Sequence, residues 1–186
     1  MLNDLDHIFR QDYSLSKLSE SSVDINPFNQ FKFCFDNIIK TKIKQPNSMI
    51  LSTVDATGVP STRVVLLKQF DENGFVFFTN YKSTKGSNID KNDQVSLLFF
   101  SIELELQIHI HGKAYKIPYD ESNKYFKSRP FGSQIAAMAS KQSTVVESRV
   151  QLEKEFKVLY SKYENSPPEC PNYWGGINVV PYYFEF

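Results

Sequence analysis

Short apolar runs separated by turn sequences occupy the middle of this 186-residue chain. The run MILSTVD is followed by the turn ATGVP, and the run STRVVLLKQF by the turn DENG and the run FVFFTN. After a polar, basic segment come two further runs, QVSLLFF and LELQIHIHGKAYKI. Turn-forming residues between β-branched and aromatic runs are typical of antiparallel strands. The pattern predicts a mainly β fold of five to seven short strands, a small barrel or sandwich with helices packed around it.

The last of these runs alternates strictly between apolar and polar residues, which indicates a strand with one buried face. The polar face is open to solvent, a ligand or a partner. Its two histidines could bind a metal, but a site needs a third ligand and none nearby has a suitable spacing, so surface or interface histidines are the alternative. The apolar face consists of Leu104, Leu106, Ile108 and Ile110, and the polar face of Glu105, Gln107, His109 and His111.

Helical periodicity predicts a helix over about residues 27–42, a second that ends before Pro130, and a short one over GSQIAAMAS. A long amphipathic helix is predicted over 144–163, and Thr144 with Glu147 has the form of a capping box at its start. Residues 1–27 are polar and turn-rich, which predicts a mobile arm before a single domain over 28–186. The segment YWGGINVVPYYFEF predicts a final strand or pair of strands.

Composition excludes several classes of function. Lys plus Arg equals Asp plus Glu at 21 each, so the chain lacks the global basic field of a nucleic-acid-binding protein. No apolar run approaches about 18 residues, which predicts no membrane span. Cys34 and Cys170 are far apart and fit neither metal spacing nor a disulfide framework, which predicts two free thiols in a reducing cytoplasm. Aromatic residues reach 15%, which indicates an aromatic β-rich core or, alternatively, stacking on a flat ring ligand.

Several dispersed groups are suited to anions. In RVVLLK, Arg63 and Lys68 would point to opposite faces of one strand. The segment YKSTKGS combines cations, hydroxyls and a glycine in a candidate phosphate cradle, with a solvated basic loop as the alternative. Tyr125 and Arg129 share a helix face with Ser133 just beyond, which is either a second anion site or an ordinary exposed helix. Gln142 and Ser143 precede the long helix, where anion binding and simple capping are both open.

No Ser-His-Asp or Cys-His arrangement is present, and the acidic residues form no evident pair. Cationic and amide groups spread in this way favour binding of a polyanionic cofactor over hydrolysis, because chemistry carried by a cofactor needs few protein acids and bases. The sequence therefore predicts no catalytic side chain and no metal.

Five separated segments, in order, carry a resemblance to a known family. They are STVDATGVPSTRVVLLKQFDENGFVFFTNYKSTKGSNI, VSLLFF, LELQIHIHGKA, KYFKSRPFGSQIAAMASKQS and YWGGINV. Together they resemble the pyridoxamine 5'-phosphate oxidases from about residue 29 to residue 186. The resemblance implies an FMN-binding split β-barrel and a homodimer with both sites at the subunit interface. It also implies oxidation of pyridoxamine or pyridoxine 5'-phosphate to pyridoxal 5'-phosphate, with dioxygen reoxidising the flavin.

The same resemblance implies roles for individual residues. Arg63 would hold the FMN phosphate and Lys68 the substrate phosphate, so that one strand would position two anions. The arm segment RQDY matches an Arg-x-x-Tyr lid. The implied cofactor-binding residues are Arg63, Val64, Val65, Leu66, Leu67, Lys68, Phe78, Thr79, Thr84, Lys85, Gln107, Gln142 and Ser143. The implied substrate-binding residues are Arg10, Tyr13, Lys68, Tyr125, Arg129 and Ser133.

Two departures from the family pattern leave alternatives open. Thr84 stands where the family usually has Arg, which removes one phosphate contact that Lys82 could replace. The family continues beyond Glu185 and Phe186 with Trp-Gln and an Arg-Leu-His-Asp-Arg segment that this sequence lacks. A weakened oxidase, a flavin oxidoreductase with another substrate, and a sequence that is a truncated form all fit this departure, as does a non-catalytic binder of FMN or pyridoxal phosphate.

Overall fold

The computed structural model describes residues 12–15 and 17–186. Its mainly β architecture agrees with the strand pattern of the sequence. Five α-helices and one 3-10 turn, Ile102–Leu104, accompany the strands of the described residues. The helices are α1 Pro27–Lys40, α2 Thr84–Lys91, α3 Tyr119–Ser128, α4 Phe131–Ala139 and α5 Arg149–Tyr163. The strands are β1 Ser48–Val54, β2 Pro60–Leu66, β3 Gln69–Asp71, β4 Gly74–Asn80, β5 Gln94–Ser101, β6 Leu106–Lys116 and β7 Trp174–Glu185.

The strands form one antiparallel sheet in the order β2-β1-β5-β6-β7-β4-β3. The chain passes directly from the β2 edge to the β3 edge through Leu67 and Lys68. The Leu67 amide donates to the Asn47 carbonyl at 2.8 Å, and the Lys68 amide donates to the Val76 carbonyl of β4 at 2.8 Å. Two residues can join the two edges only if the sheet curls, so the fold is a partly closed barrel.

A phenylalanine cluster fills the inside of the curled sheet. Phe31 of α1 is fully buried and packs edge-on against the rings of Phe70, Phe75 and Phe99 at centroid distances of 4.8–5.0 Å. Edge-to-face pairs of this kind add to the free energy of burial. Phenylalanine is therefore a main component of this core, and the apolar face of β6 joins it through Ile108 and Ile110, both 0% exposed.

Two details of the predicted strands are wrong. The run STRVVLLKQF is not one strand, because pairing with β1 ends at Leu66 and pairing with β4 begins at Gln69. Leu104 and Glu105 are not part of β6, because the 3-10 turn ends at Leu104 and Glu105 adopts a left-handed conformation with φ 49°. The alternation of apolar and polar residues therefore begins at Leu106, where β6 begins.

The long helix also begins later than the capping-box pattern predicts. Its N-cap is Ser148, whose hydroxyl accepts from the Gln151 amide at 3.1 Å. The Thr144 hydroxyl instead donates to the Lys141 carbonyl at 2.6 Å in a turn after α4. Ser143 has a left-handed φ of 67° within that turn. The apolar stripe itself is half-buried from Leu152 to Tyr163, whereas Val145 is fully exposed.

The described part of the N-terminal segment makes one polar contact with the barrel. The amides of Ser14 and Leu15 both donate to Glu105 Oε2, at 2.8 and 3.0 Å. The first helix of the described part begins at Pro27 behind the N-cap Asn26, as predicted, and ends at Lys40. None of the helices in the ranges 12–15 and 17–186 is long and apolar enough to cross a membrane.

Candidate functional site

A cavity of about 600 Å³ lies where the β2 edge, β4, the α3–α4 pair and the turn after α4 meet. Its size falls within the range of about 300–1,000 Å³ that is usual for small-molecule sites. It brings together segments that are far apart in the sequence. The residues predicted for the site that line it are Val64, Val65, Leu66, Lys68, Phe78, Thr79, Lys85, Tyr125, Arg129, Ser133 and Gln142.

A buried lysine marks one end of the cavity. Lys85 lies in the first turn of α2, behind the N-cap Ser83, and is 8% exposed. Its Nζ donates to Gln142 Oε1 at 3.0 Å and to Ser83 Oγ at 3.3 Å. Burial, together with the charge of Arg63, lowers the pKa of Lys85 to about 8. A buried cation beside another cation and bonded only to neutral oxygens favours an anion in the adjoining space.

Arg63 supports the same positive end from β2 without lining the cavity. Its Nη1 donates to Thr53 Oγ1 at 2.8 Å and to the Leu51 carbonyl at 3.3 Å. Asn88 of α2 donates to the same Thr53 hydroxyl at 3.1 Å, so α2 and β2 are joined through one buried hydroxyl. Burial lowers the pKa of Arg63. The half-buried guanidinium adds positive potential around Lys85.

Three aromatic rings form a stack along the cavity wall. The rings of Phe78 and Tyr125 lie 3.8 Å apart at an interplanar angle of 19°, and those of Phe78 and Trp174 lie 5.4 Å apart at the same angle. Gly175 and Gly176 pair with Thr79 and Phe78 across β7 and β4. A wall of parallel rings suits a flat aromatic ligand, which was the second interpretation of the aromatic content.

A second positive group lies at this aromatic wall. The Arg129 guanidinium lies 4.8 Å from the centroid of the Trp174 ring and 5.9 Å from that of Phe126. Burial lowers its pKa. Among the described residues its buried Nη1 has no hydrogen-bond partner. Lys68 and Ser133 line the cavity as well, so two cationic residues and a hydroxyl residue surround one space.

The remaining predicted site residues lie away from the cavity. Leu67 is part of the core, and Thr84 is exposed at the start of α2. Gln107 is exposed on the open face of β6, and Ser143 is exposed in the turn after α4. Tyr13 is 84% exposed and lies beside the contact with Glu105. Arg10 lies outside the described residues.

Some lining residues were not predicted. Trp174 belongs to the quoted segment YWGGINV, and as the single tryptophan of the chain it could have been singled out. Asn80 accepts from the Lys82 amide at 2.8 Å and begins the turn into α2. No sequence signal distinguishes the small residues of α4 from ordinary helix residues. The unpredicted lining residues are Asn80, Pro130, Ala136, Ala137, Ser140 and Trp174.

The histidine pair of β6 has ordinary neighbours. The two rings lie 4.4 Å apart, His109 Nε2 is 2.7 Å from Ser96 Oγ, and His111 stacks on Tyr183 at 5.1 Å. Within the described ranges no three potential ligands from His, Cys, Asp and Glu come together. Cys34 and Cys170 are buried free thiols, as predicted, and burial raises the pKa of Cys170 to about 11.

Solved structures define the class of fold. PhzG from Burkholderia lata superposes with a TM-score of 0.85 at 22% identity, over 92% of this chain and 85% of that chain. A pyridoxamine 5'-phosphate oxidase-related, FMN binding protein from Nostoc punctiforme superposes with a TM-score of 0.65 at 13% identity, over 86% of this chain and 83% of that chain. The protein is a split β-barrel of the FMN-binding type with flanking helices, as the resemblance implied.

Sequence comparison then defines the family. The pyridoxamine 5'-phosphate oxidase profile matches residues 35–163. Pyridoxine/pyridoxamine 5'-phosphate oxidases from Nostoc punctiforme and Paraburkholderia phymatum are 48% and 49% identical over 177 residues, with 95% of this chain and 83% of each relative covered. The chain belongs to the pyridoxamine 5'-phosphate oxidase family.

Proposed function

We propose that this protein is an FMN-dependent oxidase that converts pyridoxamine or pyridoxine 5'-phosphate into pyridoxal 5'-phosphate. The observation that carries the proposal is one cavity lined by three cationic residues, Lys85, Lys68 and Arg129, together with an aromatic wall. FMN and the substrate each carry a phosphate and a flat ring, and cations beside aromatic side chains suit both groups. The 48% identical relatives carry the same activity in their names. The buried free thiols support a reducing, cytoplasmic location.

The residues around Lys85 fit the phosphate of FMN. The buried ammonium group has only neutral partners among the described residues, and a phosphate would supply the missing charge. Thr79 Oγ1 donates to Gln142 Oε1 at 3.3 Å. This hydroxyl and this amide lie beside Lys85 and would bind the polar edge of a flavin. When bound, FMN would supply the redox chemistry: a hydride equivalent would leave C4' of the substrate, dioxygen would take up the electrons as hydrogen peroxide, and for the amine substrate water would release ammonia from the resulting imine.

The residues around Arg129 would bind and orient the substrate. The Arg129 guanidinium would donate to the substrate phosphate, while Lys68 and the Ser133 hydroxyl would complete the phosphate site. The Phe78–Tyr125 stack would limit the tilt of the substrate ring. Arg10 and Tyr13 are proposed to close over the bound substrate. No side chain in this set is assigned a proton transfer.

A second copy of the chain would complete the site. Gln107 is exposed on β6 and does not line the cavity of its own chain, although the family pattern gives it a flavin contact. In the proposed homodimer it would reach the cavity of the partner. Phe100 is 60% exposed, pairs with Gln107 across β5 and β6, and would become buried there.

An anaerobic experiment tests the proposed function. Purified protein is reconstituted with FMN, pyridoxamine 5'-phosphate is added without oxygen, and the visible flavin absorption is followed. We expect the absorption to bleach and to return when air is admitted, with formation of pyridoxal 5'-phosphate. A stable yellow protein that never bleaches would contradict the oxidase and favour a binder or another donor. Failure to bind FMN would contradict the flavin-dependent function altogether.

FMN affinity should depend on pH through Lys85. Its pKa is about 8 without ligand, and a nearby phosphate raises it, so binding takes up a proton wherever the free lysine is neutral. The phosphate of FMN is already a dianion above about pH 7, so the affinity for FMN should be constant from there to the pKa of Lys85. Above that pKa the affinity should fall by up to about tenfold per pH unit. Flavin fluorescence titrations measure the dissociation constant. Lys85→Arg, which does not titrate, should flatten the profile, and an equal decline in that variant would contradict the assignment.

A further inference from the structure

We propose that Gln134 is a positioning residue that holds Arg129 in its phosphate-binding orientation, an inference that rests on the proposed function of Arg129. Gln134 lies in the first turn of α4 and is 5% exposed. Its Nε2 donates to the Arg129 carbonyl at 2.9 Å and to the Lys127 carbonyl at 3.3 Å. It does not line the cavity, and its effect on a ligand would pass through Arg129.

The connection between α3 and α4 explains why such a residue is needed. Only Arg129 and Pro130 separate the two helices, and the backbone of Arg129 is extended, with φ −73° and ψ 151°. Carbonyl groups at a helix C-terminus have no partners within their own helix. The Arg129 amide donates to the Phe126 carbonyl at 3.2 Å, and the Ser128 hydroxyl to the Tyr125 carbonyl at 2.8 Å. The Gln134 side chain donates to two further carbonyl groups, those of Lys127 and Arg129.

These two hydrogen bonds fix the backbone from which the guanidinium extends. Both acceptors are carbonyl oxygens, so they also fix the orientation of the Gln134 amide. Its Oε1 is buried and has no partner among the described residues. The amide therefore leaves one buried oxygen without a partner while it pairs two carbonyl groups at the end of α3, and methionine at this position would remove both of those hydrogen bonds. By fixing the backbone at Arg129, the amide fixes the base of the side chain whose guanidinium lies 4.8 Å from the Trp174 ring centroid and which lines the cavity.

The test is a double-mutant cycle on ligand binding, with pyridoxal 5'-phosphate as the probe. The variants are Gln134→Met, Arg129→Met and the double variant, each loaded with FMN. Quenching of the single Trp174, which lies under the guanidinium, reports binding directly. We expect Gln134→Met to weaken binding about tenfold and Arg129→Met about a hundredfold, with the double variant no weaker than Arg129→Met. FMN affinity should be unchanged in Gln134→Met.

The alternative outcomes separate the inference from the function on which it rests. If Arg129→Met weakens binding and Gln134→Met does not, Gln134 has no positioning role. If the two effects multiply in the double variant, Gln134 acts independently of Arg129 and the inference is wrong. If Arg129→Met leaves binding unchanged, or the unsubstituted protein does not bind the probe, the proposed substrate site fails and the inference with it. Gln134→Asn, which keeps the amide on a shorter side chain, replaces Gln134→Met should the latter not fold, with the same expected direction.

Discussion

Replacement of Lys85 by methionine should make the ligand-free protein more stable and weaken its binding of FMN. Lys85 is buried beside Arg63, and the lowered pKa shows that the folded state disfavours its charged form. Because the pKa is lower in the folded than in the unfolded state, the destabilisation is present in full below about pH 8 and disappears as the pH rises towards about 10.4. A lowering of this size corresponds to roughly 1–3 kcal/mol at neutral pH.

Removing the charge should therefore raise the melting temperature of the ligand-free protein by about 2–12 °C. The same change removes the charge-assisted hydrogen bond that we propose between Lys85 and the FMN phosphate, which should raise the dissociation constant of FMN by about 10- to 100-fold. Calorimetry and flavin fluorescence titration measure the two effects. Lys91→Met, in the exposed last turn of the same helix, is the matched control and should change neither. A variant that melts lower, or binds FMN as well as the unsubstituted protein, would contradict the role assigned to Lys85.

Gly86→Ala should destabilise the protein, although a glycine-to-alanine change within a helix ordinarily stabilises by up to about 1 kcal/mol. Gly86 lies in the first turn of α2, and a Cβ there would overlap the Tyr81 carbonyl group and lie 2.7 Å from the Tyr81 Cα. Tyr81 cannot easily withdraw, since its amide donates to the Tyr173 carbonyl at 2.7 Å and its hydroxyl to the Gly176 carbonyl at 3.1 Å. The helix that carries Lys85 would have to move instead.

We expect Gly86→Ala to lose roughly 2 kcal/mol or more, as in overpacked cores, which corresponds to a melting temperature lower by at least about 4 °C. FMN binding should weaken too, because the displaced helix carries Lys85. The matched control is Gly132→Ala, in the first turn of α4, where nothing lies within 4 Å of an added Cβ. That variant should melt slightly higher. Equal shifts in the two variants would show that contact with Tyr81 does not determine the difference.

Local patterns predicted the elements of this fold better than their junctions. Alternation correctly placed Ile108 and Ile110 in the core, because side-chain period is a property of the strand itself. The break at Leu67 could not be predicted, since it depends on the change of pairing from β1 to β4. The later start of α5 has a similar origin. Thr144 and Ser148 are both acceptable N-caps, and local sequence does not decide between them.

The site was predicted largely through the resemblance to the family. The residues alone indicated anion-binding groups at Lys85 and Arg129, but no local rule could show that both face one cavity. That proximity depends on the curling of the sheet and on the placement of α3 and α4. The environment that lowers the pKa of Lys85 is likewise tertiary, because Arg63 lies 22 positions earlier in the sequence. The role of Gln134 could not be predicted for the same reason, because its partners are the backbone carbonyls of Lys127 and Arg129.

The place of β7 between β6 and β4 has a consequence for folding on the ribosome. β4 has only β3 and β7 as neighbours in the sheet, yet about 94 residues separate the end of β4 from the start of β7. Strands β1, β2, β5 and β6 can pair as they emerge, whereas β4 must wait for β7 to join it to them. The cavity wall that carries Phe78 and Thr79 is thus among the final parts to assemble. We expect nascent chains that stop before residue 174 to be unable to capture the cofactor, so that loading follows completion of the barrel.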